Sequence, residues 1–423
     1  MKRKFVAMLC LASVLAAALT VGIIPASATN GDWIDREPVS DADYSFAVMG
    51  DIQFVTYSDH LLGTNYLETM VTWLLDNREK RNIQYLFELG DTVQTFLSAP
   101  ASQNPMVNNP GEWETAAAQF SRLDGKLGYS VVRGNHDDEG GYHAYICSRA
   151  YRKQMDGFFC QANKETTRGN SMSNSYRKIQ IGNHKYLMLS LDYIVTPEAL
   201  SWADDLIHRN YDHKVIVSMH AYLAKDGSFY RGEVSSSNVD GTATETRPFD
   251  GEYLWNHLFS KHDNLFMILS GHLDVEDPVI RTRTGIHGNE VIEMLVDPQG
   301  YEAKDTCGFL MMLNFTEGGK MIEVEYFSPS RGKYFREKNQ LSLSLPEGTL
   351  PAYVPSESFA QSEAVSEAVS ETVRESEKDE GEVTNTNRPV IVLASVLGSV
   401  VILCGIFLIA WKIKKNKGNG VSK

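Results

Sequence analysis

"YSVVRGNHDDE", residues 129–139, decides how this chain is read. Residues 129–132 suit a strand, and the strand stops at Gly134-Asn135-His136-Asp137. One strand end thus delivers an amide, an imidazole and a carboxylate, and the glycine lets the backbone turn sharply there. On its own such an ending is a turn with polar residues. Its meaning depends on whether other strands end the same way.

They do. The apolar run 45–49 stops at Gly50-Asp51, followed by Gln53. The run 85–89 stops at Gly90-Asp91. Two further runs, 215–218 and 266–269, stop at His220 and at Gly271-His272. In open α/β sheets, ligands bind in the crevice at the carboxyl ends of the strands. Five endings that supply Asp, Asp, Asn, His and His to one rim form a set of hard and borderline donors. Those types suit Mn, Fe or Zn.

Between these runs the pattern is helical. Residues 66–78 carry Leu67, Met70, Val71, Leu74 and Leu75 at helical spacing, and 112–123 and 197–209 read as further helices. Residues 129–132 and 186–191 are also read as strands. From 291 onward the runs 291–296, 309–314 and 321–326 read as a strand meander without helices. Alternating strands and helices followed by a meander predict an α/β core of two sheets covered by helices. Residues 139–184 and 224–250 read as polar surface excursions, long enough to shape a pocket.

The 423 residues carry a net charge of -14 and no basic patch in the middle of the chain, which argues against a duplex nucleic-acid partner. Lys2-Arg3-Lys4, the apolar stretch 5–24 and the small residues 26–28 read as a secretory signal, residues 1–28, with an uncleaved anchor as the alternative. The body spans 40–345. Residues 355–388 are rich in Ser, Glu and Ala and poor in large apolar groups, which predicts a disordered stalk. Residues 390–411 contain no charge and are long enough to span a bilayer as a helix. The basic tail 412–423 would stay cytoplasmic. The expected arrangement is a single-pass membrane protein with the body outside the cell. Of five cysteines, Cys10 falls in the signal and Cys404 in the span; Cys147 and Cys160 are the expected disulfide, with Cys307 left over.

Taken together, Asp51-Ile52-Gln53, Gly90-Asp91, Gly134-Asn135-His136-Asp137, His220 and Gly271-His272-Leu273-Asp274 resemble the calcineurin-like metallophosphoesterases over roughly residues 44–335. The first motif, with Gln in third place, looks closest to the secreted bacterial branch. There a late strand similar to Tyr326-Phe327-Ser328-Pro329 and Gly332-Lys333-Tyr334 also occurs. The resemblance implies a four-layer α/β/β/α sandwich of two mixed sheets, with a two-metal site at the strand ends. It implies that Asp91 bridges the ions and that Asp51 binds the first, with Gln53 and Asp274 in places usually held by His. Asn135, His220 and His272 would hold the second ion, and His136 would protonate the leaving group. Two divalent ions (Mn, Fe or Zn) can activate a water as a metal-bound hydroxide and clamp phosphate oxygens for in-line attack.

The implied activity is hydrolysis of a small phosphomonoester or phosphodiester. Arg133 is a candidate for bidentate phosphate contact, though a structural arginine at a strand end fits it equally; His143 is a reserve candidate for substrate contact. Gln53, Gln94 and Asp274 depart from the commonest family pattern, and they support the competing reading of a catalytically weak or inactive surface binding protein.

Overall fold

The computed structural model describes residues 32–97, 107–159, 172–231, 249–305 and 307–355. Its strand Tyr44–Met49 is buried on both faces, and that sets the architecture. Successive side chains of a strand point to opposite faces. Phe46 and Val48 enter one apolar cluster with Phe87, Met188, Ile216 and Leu269. Ala47 and Met49 enter another, with Leu67, Met70, Trp113 and Phe120. A strand covered in this way needs helices over one face and a second sheet over the other.

The first sheet has eight strands. Tyr44–Met49 runs parallel to Ile83–Glu88, which runs parallel to Gly128–Val131. On its other side Tyr44–Met49 pairs antiparallel with Leu310–Thr316, and the sheet continues through Met321–Ser328. The second sheet has seven strands with a parallel centre: His184–Leu191, Lys214–Met219, Leu265–Ser270 and Glu290–Leu295. Leu187, Val215 and Val217 form a third apolar cluster with Ala203, Leu206 and Leu254. The layers are therefore helices, sheet, sheet, helices, the sandwich of two mixed sheets expected from the sequence. All the parallel strands present their carboxyl ends at one rim of their sheet, and the candidate donors lie there.

Local chemistry explains the helices that back this rim. In Tyr66–Asn77 the buried residues are Leu67, Met70, Val71 and Leu74, one apolar stripe. Burying a leucine such as Leu74 contributes about 1.5–3 kcal/mol. Helix Pro197–Arg209 starts where the sequence predicts. The Thr196 side chain accepts from Ala199 N, and Pro197 occupies the first turn, where no backbone donor is needed.

Several expectations need correction. Gln53–Leu62 is a helix, so Gln53 opens a helix where only a turn was expected. The meander is interrupted. Glu290–Leu295 belongs to the second sheet, and a helix, Gln299–Asp305, follows it. The excursion 139–184 contains Asn174–Ile181, which extends the second sheet antiparallel to His184–Leu191, and Gly157–Phe159, which pairs antiparallel with Asn174–Ile181. Cys147 is buried in the cluster beneath the first sheet's helices, and Cys160, its expected disulfide partner, lies outside the described residues. Among the described residues no helix is long and apolar enough to cross a membrane. The signal 1–28, nearly all of the stalk, the span 390–411 and the tail 412–423 lie outside the described residues.

Candidate metal centre

Asp91, His220 and His272 come from three strand ends in two sheets, yet their donor atoms all lie within 4.8 Å of one another. His220 is the hub. Its Nε2 is 3.3 Å from Asp91 Oδ1, 2.9 Å from Asn135 Oδ1 and 3.1 Å from His272 Nδ1. Its Nδ1 is 3.0 Å from the Leu89 carbonyl, which calls for the proton on Nδ1 and turns the Nε2 lone pair inward. The Tyr230 hydroxyl lies 2.9 Å from His272 Nε2 and can fix that ring in the same sense. Tyr193 flanks both imidazoles, with ring centroids 5.5 and 5.8 Å away.

Close backbone approach makes this convergence possible. A Cβ on Gly134 would sit 2.2 Å from Asp91 Oδ1, and one on Gly271 would sit 2.1 Å from Asp51 Oδ1. Asp91 and His272 themselves hold φ of 52° and 76°, a conformation that costs energy in a residue with a side chain. Hydrogen bonds hold it in place. His136 N donates to Asp91 Oδ1 at 2.7 Å, and His272 N lies 3.1 and 3.0 Å from the two oxygens of Asp51. Asp137 ties the Gly90-Asp91 and Gly134 turns together by accepting from Thr92 N, Val93 N and Gly134 N.

The electrostatics point to a cation. Burial lifts the Asp51 carboxyl well above the usual carboxylate range, with Asp297 and Asp91 adding to it. Burial also raises Asp297 to about 6, and burial with the nearby Asp91 charge raises Asp137 to about 7. Glu88 is pushed up for the same first reason, burial, with Asp137 beside it. Asp91 differs. Burial favours its neutral form, but His220 and then His136 outweigh that and hold it near 2. On His220 burial opposes a charge, and Asp91 overcomes that and raises the imidazole. A cation among these buried carboxylates would offset the charge crowding that raises them.

The donor set fits a metal. Asp91 Oδ1, Asn135 Oδ1, His220 Nε2 and His272 Nδ1 are four atoms with lone pairs facing one another. A further buried oxygen, Gln53 Oε1, has no hydrogen-bond partner. Carboxylate, amide and imidazole together suit a borderline divalent ion.

The other expected site residues fall elsewhere or stand apart from this group. His136 is half-buried beside the cluster, linked to Asp91 through its backbone. Gln53 is buried, and its amide nitrogen donates to Gln299 Oε1. Asp274 is exposed, and its carboxylate accepts from Gly300 N at 2.9 Å at the start of helix Gln299–Asp305, so it stays out of the converging group. Arg133 is buried, and its Nε donates to Asp192 Oδ1 at 2.9 Å while Nη1 reaches the Asp137 carbonyl. That geometry is the structural arginine of the two readings. His143 Nε2 accepts from Met172 N at 3.0 Å, which occupies it in backbone support.

Three residues at the site were not anticipated. Asp297 follows a sixth strand end, but it lacks the glycine that marked four of the others. Gln299 follows two residues later on an unexpected helix. Tyr230 arrives from the second excursion, whose Leu223–Phe229 bridge folds it back on the sheet, and no local pattern signals that.

The profile of the family described as calcineurin-like phosphoesterase matches residues 44–301, more than half of the chain. A Bacillus subtilis protein, the uncharacterized protein YvnB, is 27% identical over 317 residues. That match covers 72% of this chain and 21% of the relative, so the chain spans about a fifth of the length of the curated relative it matches. Among solved structures, a 5'-nucleotidase precursor from Thermus thermophilus is 12% identical with a TM-score of 0.39, covering 78% of this chain and 59% of its own. GAP50, the anchor in the inner membrane complex of Plasmodium, is 11% identical with a TM-score of 0.39, covering 71% of this chain and 88% of its own. Likenesses this distant carry no information about substrate.

Proposed function

We propose, on the premise that this chain belongs to the calcineurin-like phosphoesterase family, that it is a metal-dependent phosphoester hydrolase that works with two divalent ions. Asp91 meets His220 and adds its charge to the field at Asp51, which supports it as a shared ligand. Asn135, His220 and His272 would hold one ion, and Asp51 belongs to the other half. Bound divalent ions would supply Lewis acidity toward phosphoryl oxygens and lower the pKa of a water. The chain's own residues do the rest. Asp137 keeps the Gly90-Asp91 and Gly134 turns in register. Leu89 and Tyr230 orient the two imidazoles. His136, half-exposed beside the cluster, would carry the proton that the leaving oxygen takes. The basic-apolar signal at 1–28 and the uncharged stretch 390–411 support a site outside the cell on a membrane anchor.

The observation that carries this reading is the meeting of Asp91, His220 and His272 within 4.8 Å from three strand ends. The test measures bound metal on the purified full-length chain, and turnover of p-nitrophenyl phosphate, bis-p-nitrophenyl phosphate and alkyl phosphates. Two ions per chain are expected, with metal and turnover both lost in Asp91→Ala. His136→Ala should retain metal and lose far more activity on alkyl than on p-nitrophenyl esters, since a good leaving group needs no acid. A chain with no metal and no turnover on any of these esters would overturn the proposal. Metal without turnover would favour a binding role.

A further inference from the structure

The Asp51 half of the site is not completed by the residue two places after His272. Asp274 turns outward to Gly300, and the chain then returns through Val275, whose N donates to the Asp297 carbonyl at 2.7 Å. The inward place goes to the segment Asp297-Pro298-Gln299. Asp297 is fully buried; its Oδ1 accepts from Gln299 N at 3.1 Å and its Oδ2 from Gln299 Nε2 at 2.8 Å. The same Nε2 lies 3.4 Å from Asp51 Oδ2 and 3.4 Å from the His272 carbonyl. One amide group therefore sits among three oxygens, two of them carboxylate.

Two features are poorly explained by a closed hydrogen-bonded knot. An amide nitrogen has two hydrogens for those three oxygens. Gln53, only 2 % exposed, bonds Gln299 through its nitrogen and leaves Oε1 buried without a partner, an arrangement that is costly unless something fills it. Among the described residues neither Asp51 nor Asp297 is ion-paired with Lys or Arg; Asp51 Oδ1 lies 3.8 Å from His220 Nδ1, whose proton goes to the Leu89 carbonyl. Buried carboxylates normally have such a partner or a metal.

We propose that Asp51, Asp297 and Gln53 Oε1, with the His272 carbonyl, form a cation site of oxygen donors only, in which Asp297 takes the place left by Asp274 and the Gln299 amide mimics the cation. This rests on the metallohydrolase reading and adds to it a selectivity. An all-oxygen site favours a hard ion such as Mn²⁺, Mg²⁺ or Ca²⁺. The neighbouring site, with two imidazoles, favours Zn²⁺ or Fe²⁺. The two halves would select unlike metals.

The test uses the full-length chain stripped with chelator, then titrated with Zn²⁺ and with Mn²⁺, reading metal per chain and thermal midpoint. The wild type should take up one Zn²⁺ and one Mn²⁺, neither displacing the other. Asp297→Asn, nearly isosteric, should keep the Zn²⁺, which also shows that it folds, and should weaken Mn²⁺ by at least about 10-fold. Asp274→Ala should bind both ions as the wild type does. If Asp297→Asn binds both unchanged, or if Asp274→Ala is the variant that loses Mn²⁺, the inference is overturned while the metallohydrolase reading stands. If the wild type binds no metal, the broader reading fails first.

Discussion

The two halves of the rim are built by different rules. On one side Asp91, Asn135, His220 and His272 each stand at a strand end, announced by Gly or by the strand itself. They meet as the motif spacing suggested, with 2.9–3.3 Å between His220 and its neighbours. On the other side Asp51 keeps its strand-end position, but its partners come from elsewhere. Asp274 leaves, and Asp297 and Gln299 arrive from a segment more than twenty residues later. A motif brings side chains together where the backbone itself places them. It fails where a side chain two residues on must still turn inward, because the next hydrogen bond decides that.

The sharpest way to break the comparison is to remove one expected ligand from each half. His220→Ala deletes the atom that touches three others and opens a buried hole beside Asp91. Turnover should fall by about 10³-fold or more, with loss of metal. Asp274→Ala removes only an exposed carboxylate at the start of a short helix. Activity should stay within about 3-fold, with about 1 kcal/mol of stability lost with the cap. Steady-state kinetics beside metal analysis separates these outcomes. Equal losses in both variants would show that Asp274 swings in to bind and that the halves are alike.

A smaller effect tests whether the well-marked half depends on support that its motifs do not show. Tyr230 touches His272 through the nitrogen opposite the cluster. Removing such an outer partner typically costs 10–100-fold in metal affinity. Tyr230→Phe should therefore weaken metal binding by about 10-fold, and activity should return at raised metal concentration with KM unchanged. A KM increase that metal does not rescue would mean that Tyr230 contacts substrate directly.

These contrasts also explain what was legible. The sandwich was, because strands such as Tyr44–Met49 are apolar but for Ser45 and helix Pro197–Arg209 carries its cap in adjacent residues. The helix Gln53–Leu62 was not, since Ile52 provides no capping side chain and the helix begins straight after the Gly50-Asp51 turn. Asn174–Ile181 reads as polar because Lys178 and Gln180 face solvent and the buried Asn174 and Ser175 are polar. Arg133 could be a phosphate ligand or a buried strut, and its partner Asp192 lies at the end of a different sheet's strand. Spacing along the chain cannot decide between those. The same limit hid Asp297, whose value comes only from lying against Asp51.

The acid-rich half continues inward, and that gives the mildest test. Glu302 is buried behind Asp297, with Oε1 accepting from Phe309 N at 3.0 Å. Burial raises its carboxyl well above the usual range, the Phe309 N–H works against that, and the Asp297 charge adds to it. The unfolded chain loses this proton near the ordinary value of about 4.3, whereas the folded chain keeps it to higher pH. Between those values the folded state binds more protons than the unfolded one, so stability falls as pH rises, by up to about 1.4 kcal/mol per pH unit. Glu302→Gln retains the acceptor for Phe309 N and removes the titration. Thermal unfolding in EDTA from pH 5 to 8 should then show the variant gaining on the wild type as pH increases. A gap that stays constant across that range would mean that Glu302 ionises in place and that the crowding of acids ends at Asp297.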